Sequence, residues 1–381
     1  MDRKAPMDTK TPLRCAARSR NEKMILEIVR RLDPVQRSAI TGHTNLTQQS
    51  VHRIVEDLMQ EGLLQAGQPE KGLRGQPSPR MMLNREAAFA LGISINTDSA
   101  SLTLLDMACH IREEVRMRVR PMSRSQTLAE MKDILHRMLE RNGVSFDKVV
   151  GLGVGISGFF IADRRQVNAP EPLRDWSLID LAPIFEDAFS LPVRIENNAT
   201  TASVAELLRG VGRRCDSFAY LSFNYGFGGG IVIDGRLLLG KNGNAGEIGG
   251  IYTPEEGENR PALRYLLDEV RSRGVSVDSI EDLSLRFDLN WPGVAEWVER
   301  VSPPMRRMVN ALAAILDPQA IVFGGQIPPE LARMLMARAE FWTTHRYDIG
   351  PSRPELLLSE VAGDAASSGA AMLILREAFF D

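Results

Sequence analysis

Residues 33–83 read DPVQRSAITGHTNLTQQSVHRIVEDLMQEGLLQAGQPEKGLRGQPSPRMML, and this stretch decides how the N-terminal part of the chain folds. Val51, Ile54, Val55 and Leu58 stand at i, i+3, i+4 and i+7, which predicts a helix with one apolar face. Thr47 is spaced as its N-cap, its hydroxyl able to accept a hydrogen bond from a free backbone N–H. Asn45 suits a turn that needs a left-handed residue. Gln48, Gln49, Ser50, His52 and Arg53 fall on or beside the polar N-terminal face. There a helix-turn-helix presents the side chains that contact DNA. Leu64–Ala66 and Arg80–Leu83 read as two short strands, joined by a loop carrying Lys71, Arg74 and Gly75-Gln76-Pro77. An ordinary helical hairpin with a solvated face shares the amphipathic pattern but not the strand pair. The stretch therefore reads as a winged helix-turn-helix.

The charge distribution agrees. The 381-residue chain has a net charge of −3, but residues 1–85 hold 15 Lys/Arg against 9 Asp/Glu. That makes the head +6 and leaves −9 on the rest. A basic head on an acidic body fits a phosphate-binding module joined to something that does not bind nucleic acid. Cys15, Cys109 and Cys215 form no CxxC pair, so a reducing cytoplasm is expected. No apolar run has the length of a membrane span and no signal-peptide core opens the chain. Residues 1–18 read as a flexible arm.

The folded part begins at Ser19, which has capping-box spacing with Glu22. Met24, Ile25, Ile28, Val29 and Leu32 form the buried stripe of a first helix, ended by Asp33-Pro34. Beyond the junction at residues 84–87 the texture changes. Three strands are expected over Ala90–Ile95, Leu102–Asp106 and Ile111–Val119, then a helix over Ser125–Arg141. The apolar run Val149–Ile156 has the pattern of a buried strand. A helix near Ile179–Phe189, strand Val193–Glu196 and a helix over Thr200–Arg209 complete one α/β lobe. A second lobe repeats the theme: strand Ser217–Phe223, the glycine-rich turn Asn224–Gly230, and a hairpin about Asp234-Gly235. Helices then dominate to Leu316. Strand Ala320–Phe323, a helix over Pro328–His345, strand Glu355–Ser359 and a helix over Ala366–Phe379 follow. Two such lobes imply a cleft between them for a small ligand.

Gly151-Leu-Gly-Val-Gly155, Glu196-Asn197-Asn198, Gly226–Gly230, Asn244-Ala-Gly-Glu-Ile-Gly249 and Ile321-Val-Phe-Gly-Gly325 are weak signals singly. In this order and spacing they resemble the ROK family, named for repressors, open reading frames and sugar kinases. The resemblance covers the chain from Ser19 onward. It implies a winged helix-turn-helix over residues 19–85, followed by a two-lobed actin-like (ribonuclease-H-like) ATPase/sugar-kinase fold. The first α/β lobe would span residues 86–200 and the second 201–381, with the last helix free to pack back on the first lobe.

Departures from the kinase pattern carry the functional reading. The family's Asp-x-Gly-x-Thr turn stands here as Ser94-Ile95-Asn96-Thr97-Asp98, and its Gly-Thr-Gly-x-Gly loop begins Asn224-Tyr225-Gly226. Asn198 occupies the position of the family's catalytic Asp, and a carboxamide has no accessible pKa for general-base catalysis. No catalytic residue is assigned and no enzyme activity is expected. Gly250 replaces the family's zinc-binding His, residues 254–265 contain no Cys, and no metal or other cofactor is expected. Asn197, Asn198 and Glu247 offer hydrogen bonds to a polyol. Arg264 suits an anionic group. Gln76 stands where related repressors carry Arg in the wing, which makes Arg74 the basic wing contact.

The chain thus reads as a cytoplasmic, homodimeric or homotetrameric repressor. It would bind a double-stranded DNA operator of carbohydrate uptake or metabolism genes and respond to a sugar or sugar-derived effector, with no membrane partner. A regulator with a vestigial cleft controlled by a protein partner, and an active sugar kinase, are the alternatives.

Overall fold

The computed structural model describes residues 18–67, 80–117, 123–342 and 349–380. The candidate wing contacts Arg74 and Gln76, and the arm up to residue 17, lie outside the described residues. Arg18, read as part of the arm, is tied to the head by a 2.5 Å ion pair with Glu61.

The head comprises α1 (Arg20–Leu32), β1 (Val35–Gln36), α2 (Arg37–Gly42), α3 (Gln48–Gln60), β2 (Leu64–Ala66) and β3 (Arg80–Leu83). The Ser19–Glu22 capping box starts α1, each residue satisfying a backbone N–H of the other. The Thr47 hydroxyl caps α3 by accepting from Ser50 N at 3.2 Å. Val51, Ile54, Val55 and Leu58 of α3 are buried with Ile25, Leu26 and Val29 of α1. The strands form an antiparallel sheet in the order β1-β3-β2. Asn45 does not adopt a left-handed conformation. The turn before α3 is instead held by the Thr44 hydroxyl, which donates to Thr41 O and accepts from Leu46 N, each at 3.3 Å.

The first half of the body contains β4 (Phe89–Ile95), β5 (Ala100–Asp106), β6 (Ile111–Met117), α4 (Arg124–Asn142) and β7 (Val149–Ile156). The small hairpin β8 (Phe159–Ile161) and β9 (Gln166–Asn168), then α5 (Leu181–Phe189), β10 (Val193–Asn197) and α6 (Asn198–Arg209), complete it. The second half contains β11 (Phe218–Phe223), β12 (Phe227–Ile233), β13 (Arg236–Leu237), α7 (Leu263–Ser272), α8 (Ile280–Arg286) and α9 (Val294–Leu316). It ends with β14 (Ala320–Gly325), α10 (Pro329–Met336), β15 (Glu355–Leu358) and α11 (Ala365–Phe379).

The two sheets repeat one topology, β6-β5-β4-β7-β10 and β13-β12-β11-β14-β15. In each, three antiparallel strands are extended by two parallel ones. The helices that follow the last strands exchange sides. α6 leaves the first sheet and packs mainly on β11 and β12, whereas α11 leaves the second and packs on β4, β5 and β7. The two helices also pack on each other.

Two expectations need correction. The glycine-rich segment expected as a turn is mostly strand: Phe227–Gly230 pair with Tyr220–Phe223. Its glycines serve close packing, since a Cβ at Gly230 would strike Ser203 Oγ and the Ala199 carbonyl of α6. The helix expected over Pro328–His345 ends at Met336. The chain beyond it is fastened to α9 by Asn310, which donates to Glu340 O at 3.0 Å and accepts from Trp342 N at 2.7 Å.

Backbone meets backbone where α11 crosses. A Cβ at Gly92 or Gly153 would lie within 3.0 Å of α11 carbonyls, and one at Gly369 within 3.0 Å of the Thr201 carbonyl on α6. In an unpacked helix Gly→Ala stabilises by about 1 kcal/mol. Gly369→Ala is expected to do the opposite, destabilising by about 1–3 kcal/mol through overpacking. Urea unfolding tests this, and a midpoint at or above wild type would show that α6 and α11 separate freely.

Candidate functional site

Two surfaces collect the residues singled out from the sequence. On α3, Gln48, Gln49, His52 and Arg53 are exposed. Ser50 is only partly exposed, and its hydroxyl lies 3.0 Å from Thr47 Oγ1 within the cap. His52 Nδ1 sits 2.8 Å from Arg37 Nη1, and Arg37 also pairs with Glu56 at 2.8 Å. Arg37, which opens α2, is a residue that α3 periodicity does not reveal. Gln48, Gln49 and Arg53 make no side-chain hydrogen bond or ion pair among the described residues, so their polar ends are free for a partner.

The second surface is a cleft of about 320 Å³ between the two halves of the body. Asn197, Asn198, Glu247 and Arg264 all line it. The junction of β10 with α6 places the first two. Asn197 is the N-cap of α6, accepting from Ala199 N at 2.7 Å and donating to Gly158 O at 2.6 Å. Its amide also reaches Glu247 Oε1 at 3.2 Å, joining the two halves. The preceding Glu196 is buried and paired with Arg164 and Arg194.

Asn198 is buried and acts chiefly as a donor. Its Nδ2 reaches Ile95 O at 3.0 Å, Asn96 Oδ1 at 3.1 Å and Ser157 Oγ at 3.2 Å. Its Oδ1 is buried without a hydrogen-bond partner among the described residues. A carboxylate here would face the lone pairs of Ile95 O and Asn96 Oδ1, so the amide also has a structural task. Nearby, Ser94 donates to Asp364 Oδ2 at 2.6 Å, and Asp98 accepts from Ile280 N at 3.1 Å.

Solvent reaches Glu247 through the cleft mouth, yet protein surrounds it closely enough that desolvation raises its carboxyl to about 7. On the same wall Arg264 lies over the rings of Tyr225 and Tyr265, 5.6 and 4.5 Å from their centroids. It donates to the Tyr265 hydroxyl at 2.5 Å, while its Nε is buried without an acceptor. Burial alone would raise the Tyr265 phenol, but hydrogen bonds from Arg264 and Arg260 together hold it below its usual value.

Arg260 lines the cleft too, its Nε donating to Gly257 O at 2.9 Å. It precedes α7, so no helical spacing pairs it with Arg264 in advance. Neither arginine pairs with a carboxylate among the described residues. The cleft is therefore lined by two side-chain amides bonded within the protein, one titratable carboxyl and two arginine cations. Trp176 is fully buried and stacked on Phe185, a packing residue outside the cleft.

Where the sequence departs from a zinc loop, other contacts hold the chain. Thr253 and Glu256 form a capping box, and Glu256 pairs with Arg307 of α9 at 2.5 Å. Among the described residues no three His, Cys, Asp or Glu form a metal-ligand group. No helix among them is long and apolar enough to cross a membrane.

Residues 90–260 match the family model described as ROK family. The xylose repressor of Bacillus spizizenii is 25% identical over 376 residues, covering 95% of this chain and 96% of its own. A crystal structure described as a ROK family transcriptional regulator, homolog of the E. coli MLC protein, matches with a TM-score of 0.70 at 18% identity. That match covers 94% of this chain and 96% of the other. A ROK family glucokinase from Streptomyces griseus, in complex with glucose and AMPPNP, matches with a TM-score of 0.60 at 21% identity. It covers 75% of this chain and 99% of its own. These structural likenesses establish the α/β, two-lobed fold.

Two measurements probe the cleft. Asn198→Asp is expected to cost about 1–3 kcal/mol in urea unfolding, because a buried donor is replaced by a charge facing acceptors; an unchanged midpoint would remove the amide's structural role. For Glu247 the folded pKa lies above the unfolded one, so its contribution to stability is complete below about 4.5 and is lost as pH rises through about 7. Glu247→Gln should therefore raise Tm at pH 8 and leave it near wild type at pH 4.5. A gain of the same size at both pH values would contradict that assignment.

Proposed function

We propose, from the match of residues 90–260 to the ROK family model, that the chain is a cytoplasmic DNA-binding regulator of that family, a repressor of carbohydrate uptake or metabolism genes. Its head acts as a winged helix-turn-helix over residues 19–85. Gln48, Gln49, Ser50, His52 and Arg53 are the contacts of α3 with DNA, and Arg74 and Gln76 those of the wing. The observation that carries this reading is the exposed start of α3, where Gln48, Gln49 and Arg53 stand without side-chain partners among the described residues.

The body, with its α/β halves at 86–200 and 201–381, serves as a sensor rather than a kinase. Asn198 supplies a donor where phosphoryl transfer needs a base. The depression beside it, lined by Asn96, Asn224, Gly325 and Asp364, holds about 50 Å³. Ligand pockets generally begin at about 300 Å³. The 320 Å³ cleft suits a sugar or sugar derivative, its hydroxyls met by Asn197, Asn198 and Glu247 and an anionic substituent met by Arg264 and Arg260.

Two heads in a homodimer or homotetramer read two half-sites. The effector favours a lobe angle at which their spacing no longer fits the operator. It shifts that equilibrium by its differential affinity for the two arrangements.

Selection of genomic fragments by the purified protein, followed by footprinting, tests the reading. An inverted repeat near transport or sugar-catabolic genes is expected. Arg53→Ala should weaken binding to it by between about fivefold and a hundredfold. Binding that is independent of sequence and unaffected by Arg53→Ala would reject operator recognition by α3.

A further inference from the structure

A second cavity, of about 400 Å³, opens at the seam between head and body, and its chemistry differs from that of the cleft. Arg30 and Arg31 from the end of α1, Arg85 from the connector into β4, Arg209 from the end of α6 and Arg213 from the turn after it line the cavity. One carboxylate, Asp33, and one imidazole, His110, share the lining.

Little of this positive charge is neutralised. Arg30 pairs with Glu27 at 2.7 Å and donates to Leu208 O at 2.9 Å. Arg209 reaches the Cys109 carbonyl at 3.4 Å. The guanidinium groups of Arg31, Arg85 and Arg213 have no ion pair or hydrogen bond among the described residues. Burial first, and then Arg209, hold the His110 imidazole below its usual value. Among the described residues Asp33 Oδ1 is buried without a hydrogen-bond partner, and the buried His110 Nδ1 lies 3.6 Å from Asp106 Oδ1.

Like charges gathered around one hollow repel each other, and an oxyanion placed among them converts that repulsion into charge-assisted hydrogen bonds. Planar guanidinium groups match phosphate oxygens two at a time. Contributions from three separate segments mean that an occupant would touch the head, the connector and the body together.

We propose that this seam cavity binds a phosphate-bearing anion, and that the bound anion clamps the head to the body. Either a free phosphorylated small molecule or a backbone phosphate of DNA supplies that group.

Full-length protein is titrated with sodium pyrophosphate at an ionic strength held constant with sodium chloride, and Tm is followed. If the source is a small molecule, pyrophosphate raises Tm, and Arg85→Gln/Arg209→Gln weakens the apparent affinity at least tenfold. The exposed pair Arg31→Gln/Arg213→Gln is the second variant, so that misfolding of the first leaves the test intact. Lys132→Gln/Arg137→Gln on α4 removes the same charge outside the cavity and should leave the response unchanged. If the source is DNA, pyrophosphate has no effect. The seam variants then lower the slope of log affinity for a duplex against log salt by about 2, and the α4 control does not. Seam and control variants that behave alike in both titrations overturn the proposal.

Discussion

The structure depends on contact between main chains at the centre of the body. Gly92 on β4 and Gly153 on β7 let α11 lie directly on the first sheet, and Gly369 lets the same helix lie directly on α6. No side chain fits at these crossings. Close-packed interiors transmit such contacts with little compliance, so the exchange of α6 and α11 between the sheets interlocks the two halves. α6 also begins at Asn198 with Asn197 as its cap, so the packing of this helix pair fixes the lobe-one wall of the cleft.

The cleft and the seam cavity differ in their electrostatics. In the cleft, amides are positioned by bonds to the strand ends and the one carboxyl shifts toward neutrality, while two arginines have no carboxylate partner among the described residues. In the function proposed above, that mixture receives a polar ligand with many hydroxyls and at most one acidic substituent. The seam has few fixed hydrogen bonds and an excess of guanidinium groups, which favours charge over shape.

The head is docked rather than tethered. Lys23 of α1 donates to Glu377 O of α11 at 2.6 Å, and Arg30 lies 5.6 Å from the centre of the Phe380 ring. Ile25, Leu26 and Val29 belong to one apolar core with Leu375 and Phe379. A ligand that alters how α11 sits on the first sheet therefore acts on the element that carries α1. In the function proposed above, coupling between a cleft ligand and the head runs through this packed connection and requires a difference in ligand affinity between two arrangements.

Local chemistry made much of this legible from the residues alone. The Ser19–Glu22 and Thr47 caps, the stripe of α3, the apolar run of β7 and the Asp234-Gly235 turn depend on neighbours a few positions away, and each forms as the spacing predicts. The motifs also placed Asn197, Asn198, Glu247 and Arg264 in one cleft. Distant contacts decided the rest. Phe227–Gly230 is strand because its glycines admit α6, the residues after Met336 are held by Asn310, and Arg260 reaches the cleft from outside any helical register. The five arginines of the seam are scattered from Arg30 to Arg213 and have no common spacing. Sequence determined the elements and the cleft motifs because those forces act between near neighbours. Tertiary structure alone decided which backbones touch and which charges share a hollow, because those depend on segments far apart in the chain.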